Sequence, residues 1–409
     1  MKAVGLVVEY NPFHNGHLYH LQASKEKAEA DTVIAVMSGH FLQRGEPALV
    51  SKWSRAKMAL QQGADLVVEL PYAFATQKAE FFADGAISIL EALKCHSVCF
   101  GSENGEITPF LETAKTLEEL DSDYQDAIKY YMKQGISYPS AQTKAYQSLD
   151  TGGHTLDLSM PNNILGYQYV KAIQKQGSAI SPLTIKRTSA GYHDEEFNET
   201  SIASATSIRK AIFSEENKDI QSFVPETTWD NLKTYRHDFN TFHQWEDYFG
   251  FLKYTICTMT HDELKQIYEV EEGLENRVKS LIHQAASFKD FMEQLKTKRY
   301  TWTRLQRLCL HILTRTTKDQ MKLDETGAPY LRLLGMSSQG RAYLNSIKKT
   351  VDKPLVSTLS AFSHPILDLD IKAASVYAMV FPEPIRSQFM HSEYSTRPIQ
   401  YNETEKLFL

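Results

Sequence analysis

The sequence predicts an α/β protein: a parallel sheet covered by helices in the first half, an α-rich second half. Three observations carry this. Short apolar, partly β-branched runs alternate with helical patterns over the first hundred residues, implying right-handed crossovers and a sheet covered on both faces. A strand–turn–helix unit, AVGLVVEYNPFHNGHLYH over Ala3–His20, opens the chain. Beyond Phe213 the alternation stops and helical spacing dominates.

In the opening unit, Val4, Leu6, Val7 and Val8 read as a buried strand that ends at Tyr10-Asn11-Pro12. Pro12 breaks the strand, Gly16 permits a close backbone approach, and Leu18 and Leu21 recur at helical spacing. A helix therefore begins near Gly16, and its free N–H groups and dipole suit an anion. His14 and His17 stand three residues apart on that first turn, facing the same way. Thr32–Met37 is a second strand, closed by Ser38-Gly39. Ser51 can cap a helix running to Gln61, with Gly63 as its left-handed stop. Asp65–Leu70 is a third strand, Asp84 is expected to cap the next helix, and Ser97–Gly101 is a fourth strand. Ligands in such sheets sit beyond the carboxyl ends of the strands, at the switch point. The ends at Asn11-Pro12, Ser38-Gly39 and Gly101-Ser102-Glu103 are therefore expected to converge on one crevice.

From Thr108-Pro109 to Gln176 the pattern is mostly helical. Pro161 opens a helix with Leu165, Tyr169 and Ile173 inward, leaving Asn162 and Asn163 at its amino end. Asparagines there suit adenine-edge or ribose recognition, and equally an N-cap. Pro182–Thr188 reads as a fifth strand whose Lys186-Arg187 points at the crevice, and Ser204–Arg209 (SATSIR) opens a further helix. Two parts follow: residues 1–215 around the crevice and an α-rich part at 216–409, joined near Glu215–Asp219.

Hydrophobic content of 42% and a charged fraction of 23% describe an ordinary globular protein. A net charge of −6 argues against polyanion binding over the whole surface, so nucleic acid would need a local basic patch. One stretch fits. Lys296–Lys322 carries eight Lys/Arg against one acid, with Arg304, Arg307, His311, Arg315, Lys318 and Lys322 stepping along one face beside Tyr300 and Trp302. Such a row is either a solvated face or an RNA surface, and the missing acids favour RNA. The N-terminus lacks signal-peptide patterning and no apolar run approaches membrane-spanning length, so a cytoplasmic protein is expected. Four cysteines without a disulfide framework fit that compartment, and Cys95 and Cys99 read as buried thiols rather than metal ligands.

Pro12-Phe13-His14-Asn15-Gly16-His17 resembles the HxGH motif of the nucleotidyltransferase superfamily, a Rossmann-like fold. SATSIR resembles its second motif, SSTxxR, with Ala203 and Ala205 where Ile and Ser are frequent. Taken alone, the first motif could be two polar helix-start histidines and the second a capped helix with a surface arginine. Both in order, at opposite ends of one α/β unit, are far more specific. With MSGHFLQRGEPALVSKWSRAKMALQQGADLVVELP, FGSENG, MPNNILGYQYVKAI and KRTSAGYHD, the sequence resembles the bacterial tRNA(Met) cytidine acetate ligase family along its full length.

That resemblance implies an ATP-dependent ligase that forms acetyl-adenylate and acetylates N4 of the wobble cytidine of elongator tRNA(Met). ATP contacts are implied at Val7, Val8, Glu9, Tyr10, Asn11, Pro12, Phe13, His14, Asn15, Gly16, His17, Leu18, Tyr19, His20, Gly101, Asn162, Arg187 and Thr188. His14 and His17 would stabilise the transition state and Arg209 would hold the outer phosphates. Mg²⁺ is expected to accompany ATP on phosphate oxygens and water, with no protein metal site. Acetate and tRNA are the expected partners. Two other readings use the same motifs: a cofactor adenylyltransferase for a small phosphorylated substrate, and an RNA-binding protein with a regulatory nucleotide site.

Overall fold

The computed structural model describes residues 1–149, 156–187, 203–214, 219–322 and 327–409. Five strands fall where the apolar runs place them: β1 (Ala3–Val8), β2 (Thr32–Ser38), β3 (Leu66–Leu70), β4 (Ser97–Ser102) and β5 (Ser181–Lys186). All five are parallel, in the spatial order β5-β4-β1-β2-β3. β2 and β3 are buried at every residue, as unbroken apolar runs require when helices cover both faces of a parallel sheet. The chain leaves β1 on one side for β2 and β3, then crosses to the other side for β4 and β5. The strand order thus reverses between β1 and β4, and the ligand crevice of such a sheet opens there.

Two expectations change. The helix expected to start at Asp84 spans Ala79–Ala92, with Lys78 as its N-cap. Phe82 and Ala83 are buried ahead of Asp84, Glu80 sits favourably in the first turn, and Asp84 instead accepts from Lys175 at 2.8 Å. The larger change lies in the second half, which is not only helical. β6 (Leu331–Ser337) pairs antiparallel with β3, from Leu66↔Met336 to Glu69↔Arg332. β7 (Leu355–Val356) and β8 (Ile399–Asn402) run parallel to β6, and β9 (Leu407–Phe408) turns back on β8. The sheet reaches nine strands, so residues 1–215 and 216–409 share it. Residues 215–218 of the expected join lie outside the described residues.

A buried charge cluster ties the halves together. Lys52 Nζ lies 2.8 Å from Glu69 Oε2 and 2.5 Å from Glu393 Oε1, and Arg332 reaches the same two carboxylates at 3.2 and 2.8 Å. All four side chains are buried, and every charge has an opposite neighbour, the condition under which buried ions are tolerated. The cluster also explains Gly39: a Cβ there would lie 2.4 Å from Glu69 Oε1.

Candidate active site

The helix Asn15–Lys27 starts as the motif predicts, with both histidines in its capping box. His14 is the N-cap, and its Nδ1 accepts the Gly16 N–H at 3.0 Å. His17, three residues on, accepts the His14 N–H on Nδ1 at 3.3 Å. The rings stack at 3.7 Å. Tyr10 and Phe13 form a bed for His17, with ring centroids 5.0 and 5.7 Å away. Burial, followed by the charges of Arg187 and Arg209, pushes His14 down to about 3. Burial and then His14 push His17 well below its ordinary value. Both imidazoles are therefore neutral at pH 7, and with Nδ1 accepting, Nε2 carries the proton. The motif presents a pair of preoriented neutral N–H donors, not the imidazolium pair its chemistry could equally have used.

These donors line a crevice of about 290 Å³ at the switch point. Its walls come from three strand ends: Val7 and Val8 on β1 with Glu9 just after, Phe100 and Gly101 on β4, and Ile185 and Lys186 on β5 with Arg187 just after. Gly16, Tyr19 and His20 line it from the helix, and Asn162, Leu165 and Tyr169 from the helix Pro161–Lys175. Burial and Arg187 lower His20 to about 4.

Several implied contacts are not in this lining. Tyr10, Asn11 and Phe13 are buried beneath it, with Asn11 Oδ1 accepting from Leu49 N at 2.7 Å. Pro12 is buried beside them, Leu18 packs on the core, and Asn15 donates to Ser222 O at 2.9 Å. Thr188 lies outside the described residues. The Ser38-Gly39 end of β2 does not reach the crevice either, because β2 stands on the far side of β1 from the switch point. There the buried Arg55 guanidinium donates to the carbonyls of Ser38 and Gly39, and at 2.7 Å to that of Glu9. Gln43 and Arg44, from the loop after β2, line the crevice instead.

The second motif also divides. Its helix, Ala205–Phe213, is capped by Ser204, whose Oγ accepts the Ser207 N–H at 3.1 Å. Ala203 and Ser204 face the crevice. Arg209 sits more than a turn further on, donating at 2.9 Å to Asn11 O and at 3.0 Å to Glu46. These bonds brace the strand–helix loop, and Arg209 is not among the residues that line the crevice, although its charge is near enough to lower His14.

Residues 1–392 match the model of a family described as HIGH Nucleotidyl Transferase. The chain is similar to the tRNA(Met) cytidine acetate ligase of Bacillus subtilis (strain 168), at 55% identity over 413 residues covering all of both chains. The chain belongs to the tRNA(Met) cytidine acetate ligase family. The Bacillus licheniformis ligase is also 55% identical, over 414 residues and all of both chains. Two solved structures of Thermotoga maritima TmcAL share the fold, each covering 98% of this chain and 100% of its own. One, bound with alpha-thio ATP, has a TM-score of 0.89 at 34% identity; the apo form I has 0.91 at 35%.

In this member of the ligase family the structure gives Glu103, at the expected β4 end, a role that motif reading did not assign. Glu103 caps the helix Pro161–Lys175, accepting Asn162 Nδ2–H at 2.6 Å and Asn163 N–H at 2.8 Å. Asn163 Oδ1 returns the bond to the amides of Glu103 and Asn104. Asn162 Oδ1 accepts from the Arg187 guanidinium at 3.3 Å. Asn162 thus bridges a carboxylate and the crevice arginine; the N-cap position itself is Met160. The available signal was the position of Glu103, two residues beyond the strand-ending Gly101. The basic row at Lys296–Lys322 fares differently. Arg307 is buried and paired with Glu269 at 3.0 Å. His311 is fully buried, its Nδ1 3.0 Å from Tyr72 Oη. Arg304 and Arg299 pair with Glu271 and Glu272, and Arg315 lies 3.6 Å from Glu263. Tyr300 is buried, with its hydroxyl on Glu272. Acids at 263–272 thus pair with Arg299, Arg304, Arg307 and Arg315, forming a seam around the buried Arg307, while Lys318 donates to the Lys265 carbonyl and Lys322 pairs with Asp319.

Cys95, Cys99 and Cys309 are buried, and burial pushes the Cys99 thiol up to about 11, as inert core thiols require. Among the described residues no helix is long and apolar enough to cross a membrane, and no cluster of three His, Cys, Asp or Glu could hold a metal.

Proposed function

We propose that this ligase binds ATP with its triphosphate against the Nε2–H groups of His14 and His17, and that acetate oxygen attacks the α-phosphate. The product is acetyl-adenylate with release of pyrophosphate. The observation that carries the reading is the pair of fixed, neutral donors at a helix N-terminus inside the switch-point crevice. Departing pyrophosphate gains negative charge, and donors already aimed at it stabilise that charge without solvent reorganisation. Acetate is itself the nucleophile, so no covalent enzyme residue is required.

Gly101 and Asn162, across the crevice, suit the nucleoside, and Arg187, held by the Glu103–Asn162 bridge, suits a phosphate. ATP enters as its Mg²⁺ complex, the metal carried by phosphate oxygens and water and lowering the charge on the triphosphate. The acetyl group then passes to N4 of the wobble cytidine of elongator tRNA(Met), the substrate named for the Bacillus relatives being tRNA(Met) cytidine with acetate. Contacts to the tRNA body are assigned to residues 216–409, using cations outside the seam around Arg307. The test is direct: incubation with ATP, labelled acetate and unmodified elongator tRNA(Met), then nucleoside mass spectrometry. A 42 Da gain on the wobble cytidine is expected, about one acetyl in place of one hydrogen. An unmodified cytidine with ATP consumed would favour the adenylyltransferase reading.

A further inference from the structure

Glu9 is the only acidic side chain among the described residues that line the crevice. In a cleft for a polyanion, a carboxylate weakens ATP and acetate binding, so its presence asks for a reason. The structure fixes it well. Its backbone carbonyl takes the Arg55 guanidinium at 2.7 Å, and its Oε1 accepts the Gln43 N–H at 2.9 Å. Among the described residues the carboxylate has no other hydrogen bond and no ion pair. One oxygen is anchored and the other is free, on the wall that also carries His14 and His17.

The second half-reaction needs such a group. The exocyclic amine of cytosine is a weak nucleophile because its lone pair is delocalised into the ring, and it must lose a proton as it attacks. We propose that Glu9 is the general base of acetyl transfer, its free carboxylate oxygen taking the proton of the cytidine N4 amine. The N4–C bond forms at the acetyl carbonyl, the bond from that carbon to the phosphate oxygen breaks, and AMP leaves with its electron pair. The proton passes from N4 to Glu9 and then to solvent. This rests on the ligase reading above. The surroundings suit the role: burial raises the carboxyl above its ordinary value, opposed by the Gln43 N–H and by Arg44, helped by Glu46, and opposed by Arg209. The same crevice also carries Tyr19, Tyr169, the lowered imidazoles of His14, His17 and His20, and the cations Lys186 and Arg187.

Two rates test this over pH 5–9: acetate-dependent pyrophosphate exchange without tRNA, and single-turnover transfer from enzyme-bound acetyl-adenylate to tRNA. The variants are E9Q, whose amide oxygen can still accept the Gln43 N–H, and E9D. Wild-type transfer is expected to fall toward acid pH as Glu9 is protonated. In E9Q the ratio of transfer to exchange should drop at least ~10²-fold, with the acid limb flattened. E9D should recover part of the loss. Equal losses in both rates, or an acid limb that persists in E9Q, overturns the assignment. Should the variants fail to fold, a wild-type transfer rate flat from pH 5 to 9 overturns it alone. Absence of acetate-dependent exchange in the wild type would fault the ligase reading itself.

Discussion

Replacing Arg307 by alanine separates a structural seam from an RNA surface. Arg307 and Glu269 are each 6% exposed, with Nε joined to Oε1 at 3.0 Å, and Glu269 Oε2 has no hydrogen-bond partner among the described residues. Removing the guanidinium leaves a buried carboxylate uncompensated, which costs about 3–5 kcal/mol. Unfolding entropy of ~2.1 cal/mol/K per residue gives a 409-residue cooperative unit about 1.2 °C per kcal/mol, so Tm should fall roughly 4–6 °C. Glu269→Ala in the same chain should restore much of that loss. Arg304→Ala is the control. Its partner Glu271 is well exposed and its guanidinium sits 4.7 Å over Tyr300, so about 1 kcal/mol is at stake. Differential scanning fluorimetry reads the stabilities, and tRNA titrations at several salt concentrations read the electrostatics. For Arg307→Ala the slope of log K against log salt should match wild type. A wild-type Tm with a slope flattened by about one unit would mean that Arg307 meets phosphate, and the seam would be wrong.

The remaining predictions concern the histidines. His14→Asn keeps a side-chain acceptor for the Gly16 N–H whereas His14→Ala does not, so the alanine variant should be less stable by about 1 kcal/mol. Both should lose ~10²–10³-fold in adenylate formation, because both lack the Nε2 donor; full activity in His14→Asn would make His14 a cap alone. For pH, the buried His14, His40 and His311 lie at about 3, 4 and 3, and His243 is pushed well below its ordinary value, all chiefly by burial. With unfolded values near 6.5, the unfolded chain binds more protons below that pH. Stability should therefore be full above about pH 7 and fall steadily toward pH 4. Asp370, raised by burial to about 7, and Glu9, Asp65 and Asp247, also raised chiefly by burial, work in the opposite sense, but the lowered imidazoles outnumber them once His17 and His20 are included. Urea midpoints that stay constant from pH 7 to 5 would contradict the neutral, buried state of these imidazoles.

Much of the crevice was legible because its signals are local. The capping box of His14 and His17 lies within four residues, and β1 to β4 each centre on a short apolar run, the pattern of a sheet covered on both faces. What failed depended on order or distance. Ser38-Gly39 is a true strand end, yet on the wrong side of β1, and no local pattern reports spatial order. β6 reads Leu331-Arg332-Leu333-Leu334 between helical segments, a run too short for periodicity to separate strand from buried helix. Arg307 meets an acid 38 residues earlier, so a local charge count found an excess where the fold has a pair. Glu103 and Asn162 stand 59 residues apart and meet because the carboxyl end of β4 lies against the amino end of the helix Pro161–Lys175.

Acetate-dependent exchange of labelled pyrophosphate into ATP, with tRNA omitted, tests the central claim most directly. If the crevice activates acetate on neutral donors at the first helix, exchange requires acetate, proceeds without tRNA, and collapses in His17→Ala while that variant still binds ATP. Exchange that needs no acetate, or that survives the loss of His17, would contradict it.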